Sequence, residues 1–298
     1  MEREARAEGA FRFRSAAEGD ASERGSWLIR QESRVKVEIS LGGCIARCHK
    51  LDMPTWYEGD GVRGKKGAIT EFSPRSRANL LRTVAGIRSD LLPILVTLTY
   101  PGEFPKDPRR WKRDLDAFGK ALRRESAGVS MVWKLEPQER GAPHYHGMIW
   151  GVEWVSMEWL RETWFRIVGS EDVRHLWAGT RVERAYSSRA AMVYASKRYM
   201  GKATKIPDWW EGVGRVWGII GRKALPVAPI AEFEVAREHA AKFRRAMERW
   251  LLVKRRGKSS ATTRSYFTGK ALHVARLLSW AQGSVVDQFE LRGARQLP

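Results

Sequence analysis

The chain has 298 residues, with 54 Lys and Arg against 34 Asp and Glu, a formal net charge of +20. A hydrophobic share of 43% with 10% aromatics excludes wholesale disorder, and the length suits one large domain or two small ones. The longest apolar runs, such as Leu91-Leu92-Pro93-Ile94-Leu95-Val96, fall far short of the ~20 residues a bilayer crossing needs.

The first residues alternate charge without an apolar core, so no secretory signal is expected. Two cysteines cannot build a disulfide framework, which fits a reducing compartment and a cytoplasmic location. The positive excess is not an N-terminal tail: residues 1–33 hold seven acids and six Arg, so the rest of the chain carries +21. Charge of that size is tolerated when the partner is a polyanion, and 14 Trp and 7 Tyr offer faces for unpaired bases.

Taken in chain order, residues 1–33 read as a mobile extension and residues 42–67, with six glycines, as loop. Leu80, Leu81, Val84 and Ile87 have helical spacing. Ile94 to Tyr100 reads as a buried strand stopped by Pro101-Gly102. Asp107-Pro108 opens a helix through Trp111, Leu115, Phe118 and Leu122. Val129–Leu135 and His144–Trp150 form a hairpin about the turn Glu139–Pro143, and a helix over Glu158–Val168 and a strand over Arg181–Ala185 follow. Ser187 or Ser188 caps a helix from Arg189 to about Met200, and Ile230 to Arg255 reads as one long basic helix. Hairpin-joined strands among helices predict an α+β fold: an antiparallel central sheet with flanking helices and a C-terminal helical extension. The expected division is an extension over 1–33, a core over 34–226 and a basic helical region over 227–298.

The chemistry concentrates in two places. On a strand, His144 and His146 project from one face, half of a divalent metal site. Folding about Gly141 brings Glu136 or Gln138, which share a face, across from them. Tyr194 and Lys197 lie three apart on the Arg189–Met200 helix, where an ammonium can favour a phenolate or balance a phosphate. Taken alone, either motif is weak.

Jointly and in order they resemble the HUH endonuclease superfamily, specifically the rolling-circle replication initiators (Rep proteins). The resemblance rests on Val96-Thr97-Leu98-Thr99-Tyr100-Pro101, on Trp133 to Gly147 with its His144-Tyr145-His146, and on Val193 to Lys202 with its Tyr194-x-x-Lys197. Phe72 to Arg77 and Gly214 to Gly218 also look like phage- and plasmid-type members, so the likeness spans about residues 68–226.

It implies a palm-like sheet with a Mg²⁺ or Mn²⁺ ion at its centre, held by His144, His146 and Glu136, or Gln138 in its place. It further implies that Tyr194 attacks the scissile phosphate of single-stranded DNA at a replication origin, presented as a hairpin. Attack releases a 3′-hydroxyl and leaves a 5′-phosphotyrosine. Lys197 would balance charge, and Arg75, Arg77, Thr97, Thr99, Arg198 and Lys202 would contact DNA. Host helicase and polymerase are the implied partners, and no nucleotide cofactor is needed. A single-tyrosine transposase of the same superfamily and a non-catalytic basic DNA-binding protein are the alternatives.

The chain departs from the two-tyrosine pattern, because Arg198 puts Tyr199 five residues after Tyr194. That is about 140° around a regular helix, so Tyr194 is expected to be the one nucleophile and Tyr199 structural, unless a bulge realigns it. Gly59-x-x-x-x-Gly64-Lys65-Lys66 lacks the Ser or Thr of a phosphate loop, and no apolar strand precedes it. Cys44, Cys48 and His49 lack a second pair for structural zinc and read as reduced loop residues. His175, His239 and His273 read as surface or packing residues.

Overall fold

The computed structural model describes residues 34–50, 67–252, 263–268 and 270–282. The extension over 1–33 and the glycine-rich Gly59–Lys66 stretch lie outside them.

Two antiparallel sheets carry the described chain, in keeping with the α+β expectation. The larger has five strands. These are β3 (Ile94–Thr99), β4 (Ser130–Pro137), β5 (Pro143–Trp150), β6 (Thr180–Arg184) and β7 (Trp217–Ile220), in the order β6-β3-β5-β4-β7. The hairpin strand β5 is therefore central. Its turn closes through Gln138 N–H to the Ala142 carbonyl, and Gly141 takes φ +79° there, which a side chain would strain.

One face of this sheet is apolar. Leu98, Tyr145 and Leu135 stand side by side in one rung, all fully buried. Against it lie α2 (Pro108–Glu125) and α3 (Met157–Val168), the first capped by Asp107 and the second by Ser156 and Gly169. Trp111 of α2 is fully buried, donates Nε1–H to the Pro105 carbonyl and packs 4.7 Å from Trp210. Gly147 leaves room within the sheet for the Met131 and Val96 side chains of the flanking strands, with which a Cβ there would collide.

The opposite face meets α1 (Pro74–Ala85, capped by Ser73) and the helix opened by Ser187, whose side chain accepts from Ala190 N–H. That helix is α5 (Ser188–Val193), and it runs into a π turn over Tyr194–Arg198 instead of continuing regularly to Met200. A short helix, α4 (Val173–Ala178), precedes β6.

The second sheet corrects the expected linear division. Residues 34–50 form β1 (Arg34–Ser40) and β2 (Ile45–Lys50), so Cys48 sits on a strand, not in a loop. Both pair with strands from beyond residue 226: β8 (Ile230–Ala236) on β1 and β9 (Thr263–Phe267) on β2, in the order β8-β1-β2-β9. The long helix expected from Ile230 accordingly divides into β8 and α6 (Arg237–Trp250). The reason is periodicity: Ala231, Phe233 and Val235 alternate, and they pair with Ile39, Val37 and Val35 on the inner face. With α7 (Ala271–Gln282), α6 covers that face in a separate core around Phe243, Met247, Val274 and Leu278. Among the described residues no helix is long and apolar enough to cross a membrane.

Trp111→Ala is expected to destabilise the chain by about 3–5 kcal/mol, read as a lowered denaturant midpoint. Loss of an enclosed indole that also orders Pro105 leaves a hole the two helices cannot close.

Candidate functional site

The polar face of the larger sheet carries two rungs across its three middle strands. Register places Thr99, His144 and Glu136 side by side, and next to them Thr97, His146 and Lys134. Alternation along each strand sends all six side chains to one face. Of the two candidate ligands on β4 and its turn, Glu136 stands in the ladder. Gln138 lies beyond it in the turn, where its side-chain carbonyl accepts from Arg140 Nε.

These groups are tied together. Thr99 Oγ1 is 3.0 Å from His144 Nδ1, which leaves His144 Nε2 for another partner. Glu136 Oε1 lies 2.8 Å from His146 Nε2, and its other oxygen accepts from Lys134 Nζ at 2.6 Å. Burial opposes ionisation of Glu136, but the His146 hydrogen bond and the Lys134 charge outweigh it and draw its pKa down to about 2. A carboxylate only accepts, so His146 donates from Nε2, and its Nδ1 lies 3.3 Å from the Tyr194 hydroxyl. Burial drives the Tyr194 phenol well above its ordinary range; a hydrogen bond with Thr97 opposes this, and Tyr199 and Glu136 add to it.

The tyrosines correct the expectation drawn from a regular helix. The π turn closes with the Tyr199 N–H on the Tyr194 carbonyl, so five residues span little more than one wide turn. Tyr194 and Tyr199 therefore share a side, their rings 4.7 Å apart. Both face His146, at 6.2 and 5.2 Å between ring centres. They differ in access: Tyr194 is 8% exposed and Tyr199 42%. Lys197 and Arg198 are placed by backbone within the π turn, and their side chains lie outside the described residues.

His146 Nε2 and Glu136 Oε1 stand near the roughly 3 Å that separates adjacent donors around a small octahedral cation. This pair fits a hard ion once its mutual hydrogen bond is given up, and two neutral imidazoles with a carboxylate are metal-type donors. The third donor is not gathered. Among the described residues no group of three His, Cys, Asp or Glu side chains stands at metal-holding distance.

Thr97 and Thr99, expected to touch DNA, direct their hydroxyls inward, to Tyr194 and His144. Arg75 is exposed at the start of α1, Lys202 is exposed after the π turn, and Arg77 and Lys202 both lie close enough to act on the Lys134 charge. His175 is a buried packing residue and bonds through Nε2 to the Thr99 carbonyl, which also accepts from Trp164. Cys44 and Cys48 are free thiols, and burial pushes Cys48 up to about 12. The residue that motif reading passed over is Lys134. The signal was present, since it shares parity with Glu136 on the same strand.

Residues 93–204, just over a third of the chain, match the replication-associated protein ORF2 family, which is of the rolling-circle replication initiator type. No curated protein and no solved structure matches the chain significantly. The matched stretch holds all the strands of both rungs and both tyrosines.

Burial, reinforced by the neighbouring His146, lowers His144 from 6.5 to about 4. The unfolded chain thus takes up this proton near pH 6.5 and the folded chain only near pH 4. His144 should contribute stability above pH 6.5 that is lost progressively on acidification toward pH 4. Denaturant midpoints measured across that window should fall with a slope that His144→Gln reduces.

Proposed function

We propose that the chain nicks and rejoins single-stranded DNA at a replication origin through a tyrosine–phosphate ester, and so initiates rolling-circle replication. The observation that carries this reading is the placement of the Tyr194 hydroxyl 3.3 Å from a histidine that is itself bonded to Glu136. A tyrosine beside a histidine bonded to a carboxylate, with a second imidazole adjoining, is suited to metal-assisted transfer of a phosphoryl group to a phenol. The match to a replication-initiator family and the net charge of +20 support DNA as the substrate.

His146 and Glu136 would hold Mg²⁺ or Mn²⁺, with His144 Nε2 the third protein donor. Such an ion, when bound, supplies charge withdrawal from the scissile phosphate. With Nε2 so engaged, the one proton of a neutral His146 ring would sit on Nδ1 and face the Tyr194 oxygen as a donor. Together with Thr97, it would favour the phenolate that burial alone disfavours. The Tyr194 oxygen forms the new P–O bond as its proton passes by way of water to the leaving 3′-oxygen, and reversal by a 3′-hydroxyl rejoins the strand. Thr99 orients His144 by holding its Nδ1.

The geometry favours a second acceptor as well. Tyr199, on the same side as Tyr194 and more exposed, is placed to take a second strand while the first ester persists.

The test uses the full chain, Mn²⁺ and single-stranded oligonucleotides covering the DNA that flanks its reading frame. A detergent-resistant protein–DNA adduct should form, disappear with EDTA, and be absent from the Tyr194→Phe/Tyr199→Phe double variant. Tyr194→Phe alone should slow adduct formation by roughly a hundredfold or more. A gel shift indifferent to EDTA, with no adduct, would leave a DNA-binding protein and remove the enzyme.

A further inference from the structure

We propose that Lys134 is a positioning residue for the second tyrosine: buried beneath the site, it grips the end of the π turn by its carbonyls and thereby holds Tyr199 against His146. Its consequence for strand transfer rests on the nicking function proposed above; its structural content does not.

The argument starts from the cost of the π turn. One residue more than a regular helical turn sits between Tyr194 and Tyr199, and such wide turns pack poorly and occur singly. The chain also leaves the helix here, so carbonyls beyond the turn lack intrahelical partners. Lys134 supplies donors to them. Its Nζ lies 3.0 Å from the Tyr199 carbonyl, 3.2 Å from that of Lys202 and 3.0 Å from Thr204 Oγ1, besides the 2.6 Å contact with Glu136.

Its side chain has no solvent exposure, so water cannot replace these bonds. Four acceptors surround an ammonium with three N–H groups, and the carboxylate balances its charge. One side chain thus joins the acid of the first rung to the backbone of the second tyrosine.

The grip is local. Residues just beyond are fixed independently, because Phe72 N–H bonds the Thr204 carbonyl and Ile206 N–H bonds that of Thr70. Tyr194 is held from the other side, by α5 and by its contacts with Thr97 and His146. Removing the ammonium should therefore release Tyr199 to Lys202 while the strands and Tyr194 stay in place.

Lys134→Met keeps the length of the side chain and removes its donors. The sequence makes the readout simple. Trypsin cuts after Lys197 and Arg198, so DNA-linked Tyr194 and Tyr199 fall on separate peptides, Ala190–Lys197 and Tyr199–Lys202. After reaction of the full chain with the flanking oligonucleotides and Mn²⁺, nuclease and trypsin digestion, mass spectrometry gives the ratio of the two esters. Lys134→Met should lower the Tyr199 share roughly tenfold or more relative to Tyr194, as misplacement of a reacting group does. General destabilisation would lower both alike, and an unchanged ratio overturns the proposal.

A second measurement needs no activity. With 3-fluorotyrosine at position 199, the fluorine resonance should be shifted and single in the wild-type chain. In Lys134→Met, and more weakly in Lys134→Gln, it should move to the solvent-averaged position. A resonance that Lys134→Met leaves in place overturns the proposal. An absence of any adduct, with the fluorine shift as expected, would sink the nicking function and leave the role of Lys134 standing.

Discussion

The arrangement of the site depends on one register, that of β3 on β5 and β5 on β4. Because side chains alternate across a sheet, a slip of a single residue would turn the imidazoles into the layer beneath α2 and bring Leu98, Tyr145 and Leu135 to the polar side. What prevents the slip is the apolar rung itself, enclosed by α2 and α3. Packing on one face thus sets the chemistry on the other. The hydroxyls of Thr97 and Thr99 refine a geometry that the core has already imposed.

Polar groups beneath the tyrosines follow a second constraint. Ionised side chains taken out of water need partners, and here they form a continuous series: Lys134 on Glu136, Glu136 on His146, His146 on Tyr194. The series runs from a fully enclosed ammonium to the wall of an open site. The two phenols at its end stand in different surroundings, one enclosed and one partly in solvent. They are therefore chemically unequal although their rings touch.

Much of this was legible in the sequence, and the exceptions have physical causes. Asp107-Pro108 and the Ser187–Ser188 pair placed the helix starts at Pro108 and Ser188 to within a few residues, and strand parity singled out Glu136 with Gln138. The smaller sheet was overlooked although its alternation is visible in Val35-x-Val37-x-Ile39 and in Ala231-x-Phe233-x-Val235. Its strands lie far apart in sequence, and the basic stretch after Arg237 drew the reading toward helix. The π turn could not have been read locally. Nothing in Tyr194-Ala195-Ser196-Lys197-Arg198 demands a wide turn, and the group that satisfies its end comes from a strand, 65 residues before Tyr199.

The pairing of β1 with β8 and β2 with β9 makes the site-bearing sheet an insertion between two halves of another. On the ribosome, the β1–β2 hairpin emerges well before β8 and β9 and must wait for them before its flanks are covered. Until then both of its edges and one oily side stand open to neighbours, while the segment in between can already collapse around its tryptophans. The order of birth and the order of folding thus run opposite ways, and shortening the chain from its far end would strand its opening hairpin, not merely trim an appendage.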